Sequence, residues 1–340
     1  MIACSSVARP VAIAAGSLLA MAVAMTALCA GATNPPAPGP PAGYDLVLSF
    51  ADEFDGRGLD RARWTTAYAD RPSTRATIEQ RTLAGNRERQ VYVDPAYLGL
   101  GIDPFEVRHG ILTIRAKPMD AATRAAIVRE LDQFPAARRA APALREVAYT
   151  SGLISTRGSF TQRYGYFETR ARWSAGKGLW PAFWMLPEGG GWPPEIDILE
   201  AHGDKPITYH SIHSNRAETA TRQAQVDDPQ QFHRYGALWL PDRVAFYIDG
   251  RPVASLPSTP DLTMPMYLLL NLAVGGYWPG DPTPDVKFPA TMQIDYVRAW
   301  RFRAAAGRAE GSAAQLAERA GDRHPQQREH RRMAQGEPHR

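Results

Sequence analysis

The stretch Trp192-Pro193-Pro194-Glu195-Ile196-Asp197-Ile198-Leu199-Glu200 places three carboxylates within six residues. Its branched apolar spacers predict a buried β-strand, and the two prolines mark the start of that strand. Successive side chains on a strand face opposite ways, so Glu195 and Asp197 share one face while Ile196 and Ile198 share the other. Glu200, five positions from Glu195, would then point away from its partners. One extra residue around Ile198-Leu199, a β-bulge, returns it to the acidic face. Crowded carboxylates raise one another's pKa, which keeps one of them an acid near neutral pH. That suits acid and nucleophile chemistry; an acidic surface strand or a metal site is the plainer alternative.

Groups that could position a substrate lie nearby. Trp180 and Trp184 share strand parity on either side of Ala182, so one face offers two aromatic platforms. Sugars stack on such faces through their axial C–H groups. Pro181 between them predicts a local irregularity in the strand. Trp192, and Trp278 in Gly276-Tyr277-Trp278-Pro279-Gly280, are loop candidates for the same task. Asn271 interrupts an apolar strand, and a buried amide must find partners in a substrate or a neighbouring sheet. His210 and His213 fall on opposite faces of one strand, so at most one of them lines a cleft directly.

The elements around these residues read as β-structure. Leu46-Val47-Leu48-Ser49-Phe50 is a first strand, and Asn86 to Tyr92 alternates polar positions, with Glu88 and Gln90 sharing the parity of Asn86. Gly110 turns a hairpin whose second arm is Ile111-Leu112-Thr113-Ile114. Strands follow over 151–156, 164–173 and 179–186, and again over 208–213, 235–240 and 266–274. Asp249-Gly250 after Val244 to Ile248 is a strong two-residue hairpin signal. Met292 to Phe302 closes the domain. Residues 119–146, rich in alanine, arginine and leucine, predict a short surface helix and loop at the cleft rim. The fold class is all-β, a sandwich of two packed antiparallel sheets.

At 340 residues the chain can build a large self-sufficient core. Arg9, the apolar run Val11 to Leu28 and Ala30-Gly31-Ala32 read as a signal peptide over 1–32, which predicts a secreted or periplasmic protein with no membrane anchor after cleavage. Residues 33–43 read as a Pro/Gly-rich linker, 44–303 as the catalytic domain and 304–340 as a disordered charged tail. Both cysteines, Cys4 and Cys29, lie in the removable segment, leaving no disulfide, thiolate metal site or thiol nucleophile. The formal charge of +4 comes mostly from Arg9 and the Arg-rich tail. The nearly neutral body is no footprint for nucleic acid and favours an uncharged substrate.

The acidic strand and its surroundings resemble glycoside hydrolase family 16, whose signature is Glu-x-Asp-x-x-Glu on a bulged strand. Asp52-Glu53-Phe54-Asp55-Gly56, Asn86 to Tyr92, Gly165-Tyr166-Phe167-Glu168, Leu179 to Pro187, Asn271 to Gly276 and Ile294-Asp295-Tyr296-Val297-Arg298 resemble family segments in family order. The resemblance covers roughly 45–303. It implies a jelly-roll sandwich whose concave sheet forms an open cleft for a polysaccharide, acting as a monomer.

By that resemblance Glu195 is the nucleophile and Glu200 the acid and later the base of a retaining hydrolysis, with Asp197 orienting Glu195. Such a pair stands about 5–5.5 Å apart. The two glutamates could exchange roles on spacing alone. The family pattern also points to Asn86, Trp180 and His213 as substrate contacts. It requires no cofactor for catalysis. It does imply a structural calcium held by Glu53, Gly110 and Asp295, whose oxygen ligands suit that ion. The expected activity is an endo-β-glucanase cutting β-1,3 or mixed β-1,3/1,4 linkages. Gln90 to Pro95 and Leu100 to Phe105 also resemble bacterial exopolysaccharide depolymerases of the family, including succinoglycan-cleaving enzymes. Lichenases typically lack the bulge residue, and nothing here favours the sulfated substrates of agarases and carrageenases. A lectin on the same sandwich would usually have lost one of the carboxylates, and hydrolysis versus transglycosylation stays open.

Overall fold

Sixteen strands dominate the regular structure of residues 38–69, 75–135 and 142–304, the parts of the chain that the computed structural model describes. The expected signal segment, residues 33–37 of the linker and the tail from 305 lie outside them. Among the described residues no helix is long and apolar enough to cross a membrane.

Strands assemble where apolar residues recur at period two or run unbroken. Six form one sheet in the order β11 (Ala220–Gln225), β10 (Ile207–His213), β9 (Glu195–Ala201), β8 (Leu179–Pro187), β15 (Met266–Val274) and β6 (Leu153–Ser155). All nine residues of β15 are buried, because both faces are covered, by the core on one side and by cleft side chains on the other. The second sheet has ten strands. Its main path is β14 (Arg251–Pro257), β13 (Arg243–Ile248), β12 (His233–Trp239), β7 (Gly165–Trp173), β16 (Ala290–Phe302), β4 (Ile111–Pro118), β5 (Tyr149–Ser151) and β2 (Gln90–Tyr92), with β1 (Leu46–Asp52) on β16 and β3 (Phe105–Arg108) on β4. Pairing is antiparallel apart from β2 with β5. This is the expected jelly-roll sandwich.

The strict alternation of burial along β13 marks a strand with one face in the core. Asp249 and Gly250 adopt φ of 51° and 75°, the pair of left-handed residues that a two-residue hairpin turn requires. Between the sheets lie Phe167, Phe183, Met185, Ile196, Ile198, Trp239, Leu268 and Leu270, all fully or almost fully buried. This core holds the six-stranded sheet rigid beneath the cleft.

The segment expected at the rim forms α1 (Ala121–Asp132) and the single turn α2 (Pro142–Arg145). Asp120 caps α1 by accepting the Thr123 N–H at 2.7 Å. Ile127, Leu131, Leu144 and Val147 pack with Ile78, Val91, Val93 and Tyr97 in a second small core. Glu130 accepts from the Ile78 N–H at 3.2 Å and from the Tyr97 hydroxyl. The insert therefore braces the loop 78–86, and Leu144 reaches the cleft itself.

Two local expectations need correction. Asn86 to Tyr92 is not one strand: Ala84–Asn86 is a 3-10 turn, Arg87 takes φ of 53°, and only Gln90–Tyr92 pairs. Pro181 does not disturb β8, which pairs with β15 without a shift from Leu179 to Pro187. The β8–β9 ladder starts at Ala182, so it stops short of the proline, and the irregularity lies across the way in β9.

Candidate active site

The misfit of Glu200 is resolved by one residue. On the β8 side Phe183 pairs with Leu199 and Trp184 with Asp197, skipping Ile198; on the β10 side Tyr209 pairs with Glu200 and Ser211 with Asp197. Two ladders thus agree on one extra residue in β9. Its freed carbonyl is not orphaned, since His210 Nδ1 donates to the oxygen of Ile198 at 2.8 Å and Thr208 Oγ1 lies 3.2 Å from Nε2. Glu195, Asp197 and Glu200 then line one cleft of about 1090 Å³ on the six-stranded sheet, while Ile196 and Ile198 sit in the core.

Each carboxylate has its own support. Trp192 Nε1 donates to Glu195 Oε2 at 2.7 Å, Trp180 Nε1 donates to Glu200 Oε1 at 2.9 Å, and His213 Nε2 lies 3.0 Å from Asp197 Oδ2. The far nitrogen of His213 is 3.3 Å from Thr219 Oγ1. Burial, then the neighbouring charge of Asp197, pushes Glu195 well above the usual carboxylate range, against the opposing pull of His213 and the Trp192 N–H. Burial and the charge of Glu200 do the same to Asp197, which also shares a hydrogen bond with Glu195. Burial first, then Glu195 and Glu88, push Glu200 up to about 8, with the Trp180 N–H acting the other way. Crowded and buried on one cleft floor, the three do not all ionise together near neutral pH.

The other expected site residues converge on the same cleft, which Asn86, Trp180, Trp184, Trp192, His213, Asn271 and Trp278 all line. Trp184 is almost fully buried, and its indole donates to Asn271 Oδ1 at 2.7 Å, so the amide expected to need a partner finds it in the neighbouring strand. Trp192 stands 65% exposed at the mouth, free to meet a ligand with its face. Trp278 meets Trp180, Tyr209 and His202 edge-on, at centroid distances of 5.2, 4.7 and 4.1 Å.

A trough floored by three acids and walled by indoles is the shape expected for a polysaccharide cleaver, and comparison with known proteins agrees. The family model of glycosyl hydrolases family 16 matches residues 116–298. This chain belongs to that family. An endo-1,3-1,4-beta-glycanase of Rhizobium meliloti is 38% identical over 267 residues, 76% of this chain and 52% of that protein. A glucan endo-1,3-beta-glucosidase of Niallia circulans is 30% identical over 295 residues, 78% of this chain and 39% of that protein. The chain thus spans about half the length of the first curated relative or less of the second. The catalytic domain of an endo-1,3-beta-glucanase (laminarinase) from Thermotoga petrophila superposes with a TM-score of 0.60 at 28% identity, covering 77% of this chain and all of that one.

Against that family 16 background, the calcium site implied by resemblance does not fit by its carboxylates. Glu53 is held in a two-pronged pair by Arg298, at 2.7 and 2.8 Å, and Asp295 Oδ2 lies 2.6 Å from Arg170. Arginine already neutralises both acids, so an ion there would have to displace two guanidinium groups. Gly110 does approach Glu53, but through the backbone: a Cβ on it would lie 3.7 Å from the Glu53 carbonyl oxygen.

Several cleft residues escaped the reading of the sequence. Tyr209 and Ser211 line the cleft, as the parity that puts His213 there requires. Glu88 is a further carboxylate of the cleft, buried, two residues beyond Asn86. Tyr68 and Arg157 come from loops without periodicity, where no signal could have found them.

Proposed function

We propose that the domain is an endo-acting glucanase that cuts internal β-1,3 or mixed β-1,3/1,4 glucosidic bonds by double displacement. Glu195 attacks the anomeric carbon as its carboxylate, while Glu200 passes its proton to the departing glycosidic oxygen. A covalent glycosyl-enzyme forms as the C–O bond breaks, and the aglycone leaves with the proton. Glu200, now ionised, takes a proton from an incoming water whose oxygen displaces Glu195 with a second inversion, so configuration is retained. Asp197, held by His213, takes up the proton that Glu195 must give up to attack, and the Trp192 N–H favours the ionised nucleophile.

One observation carries the reading: Glu200 lies on the same cleft floor as Glu195, with a bulge and an indole placing it there. The cleft's charges support an uncharged polymer, since Glu79, Glu88, Glu195, Asp197 and Glu200 line it against Arg157 and His213. A second reading, a bacterial exopolysaccharide cut by the same chemistry, draws on the segments Gln90 to Pro95 and Leu100 to Phe105. The Val11 to Leu28 run supports action outside the cytoplasm.

The test is reducing-end release from laminarin, lichenan and a soluble exopolysaccharide, with product lengths and the anomeric configuration of the first product followed by proton NMR. Internal cleavage with β-configured product is expected. An α-configured first product would overturn double displacement, and cleavage of the exopolysaccharide alone would select the second reading.

A further inference from the structure

The double displacement leaves Glu88 without a task. Its side chain is 3% exposed and lines the cleft with Glu195 and Glu200. Both carboxylate oxygens are engaged by neutral amides, Oε1 by Asn86 Nδ2 at 3.1 Å and Oε2 by Gln90 Nε2 at 2.5 Å. Gln90 is itself pinned, because its Oε1 accepts the Val274 N–H at 2.8 Å. The arginines on either side turn away: Arg87 and Arg89 both bind Glu146, and Arg89 also lies 3.7 Å from Asp281. Among the described residues no Lys or Arg pairs with Glu88.

A buried carboxylate without a cation costs stability, and a glutamine of the same shape would fill the space at lower cost. The acid therefore needs another reason, which its neighbours supply. Glu200 from β9 and Tyr68 from the loop before β2 line the same cleft, and the charge of Glu88 acts on both and on Tyr92 of β2. Burial holds both tyrosines neutral, so Glu200 is the one acid among these neighbours that ionises in the working range.

We infer that Glu88 is a positioning residue for the glucan hydrolysis proposed above: it fixes the Asn86 amide so that Oδ1 is the acceptor left for a sugar hydroxyl, and its negative charge keeps the proton on Glu200. The two tasks follow from one geometry. A carboxylate accepts from two amides at once, whereas a glutamine would set an NH2 group against one of them. Burial pushes Glu88 up to about 7 and Glu200 up to about 8, and a charge on Glu88 opposes ionisation of the acid.

Glu88→Gln and Glu88→Asp test this in the full chain, with carbon-13 NMR titration of the Glu200 carboxyl as the readout that needs no substrate. Glu88→Gln is expected to lower the Glu200 midpoint by at least about half a pH unit. The basic limb of kcat/KM should follow it down, and KM for a laminarin oligosaccharide should rise about three- to tenfold. Glu88→Asp, which keeps the charge, should restore the midpoint. An unmoved Glu200 midpoint in folded Glu88→Gln overturns the inference whatever the substrate, and so does a shift that Glu88→Asp fails to reverse. Wild-type protein that cleaves no glucan overturns the proposed function instead, and leaves the titration readable.

Discussion

Trp180 and Glu200 are joined by a 2.9 Å hydrogen bond from the indole nitrogen to a carboxylate oxygen. One residue of β8 is thus both a wall of the sugar trough and a restraint on the proposed acid. The bond favours the ionised form of Glu200 and tempers the upward push of burial and neighbouring charge. Trp180→Phe keeps an aromatic face but removes the donor. The pKa of Glu200 should then rise above about 8, and the basic limb of the kcat/KM profile should move to higher pH. Because the acid also loses its anchor, kcat should fall about tenfold. A profile that stayed in place would show that the indole does not act on the acid.

Glu195→Gln and Glu200→Gln separate the two displacement roles from the fold. Each should lower glucan cleavage by at least about a hundredfold, while the melting temperature stays at or above that of the wild type, since each change replaces a buried ionisable group by a neutral amide of the same shape. Reducing-sugar assays and thermal melts on the same preparations provide the check. Near-normal turnover in both variants would end the assignment.

His213 sits beside the acids, with Nε2 3.0 Å from Asp197 Oδ2 and its strand position paired with Glu195, whose ionised form it favours. Removing the imidazole with His213→Leu should therefore lower kcat roughly tenfold and leave KM for long glucans little changed. The measurement is a full saturation curve on laminarin. A large rise in KM with kcat intact would make His213 a sugar-binding group instead.

How far the site could be read from the chain depends on how local its determinants are. Glu195, Asp197 and the displaced parity of Glu200 are readable because strand periodicity is two and the acids sit on one strand. Tyr209 was within reach of the same rule. The pairing of Glu53 with Arg298 was not, because it depends on β1 lying against β16, 245 residues away in sequence. The docking of α1 on Ile78 and Tyr97 is equally non-local, so the segment could be read as helix but not as the brace of a cleft wall. Glu88 shows the intermediate case: its parity with Asn86 suggested a strand, whereas a left-handed Arg87 and a 3-10 turn bring the two side chains together.

His210 shows why the bulge persists, and gives the sharpest stability test. Its imidazole lies against Phe246 at 5.1 Å and donates to the Ile198 carbonyl that the bulge frees from the ladder. Burial pushes the ring's pKa down to about 4, so it is neutral in the folded protein and can donate through Nδ1 while Nε2 accepts from Thr208. His210→Phe keeps the ring contact and strands the carbonyl, which should cost about 1–3 kcal/mol at neutral pH. The sign of the pH dependence follows from linkage. Between the ordinary value of 6.5 and about 4 the unfolded chain binds a proton that the folded one refuses, so stability falls as pH drops through that window. The loss should reach on the order of 3 kcal/mol by pH 4 and be absent from the variant. The gap between wild type and His210→Phe, followed by urea unfolding, should therefore be widest near pH 7 and narrow or invert near pH 4. Parallel curves would mean that His210 is not the neutral partner of the bulge, and the placement of Glu200 would need another cause.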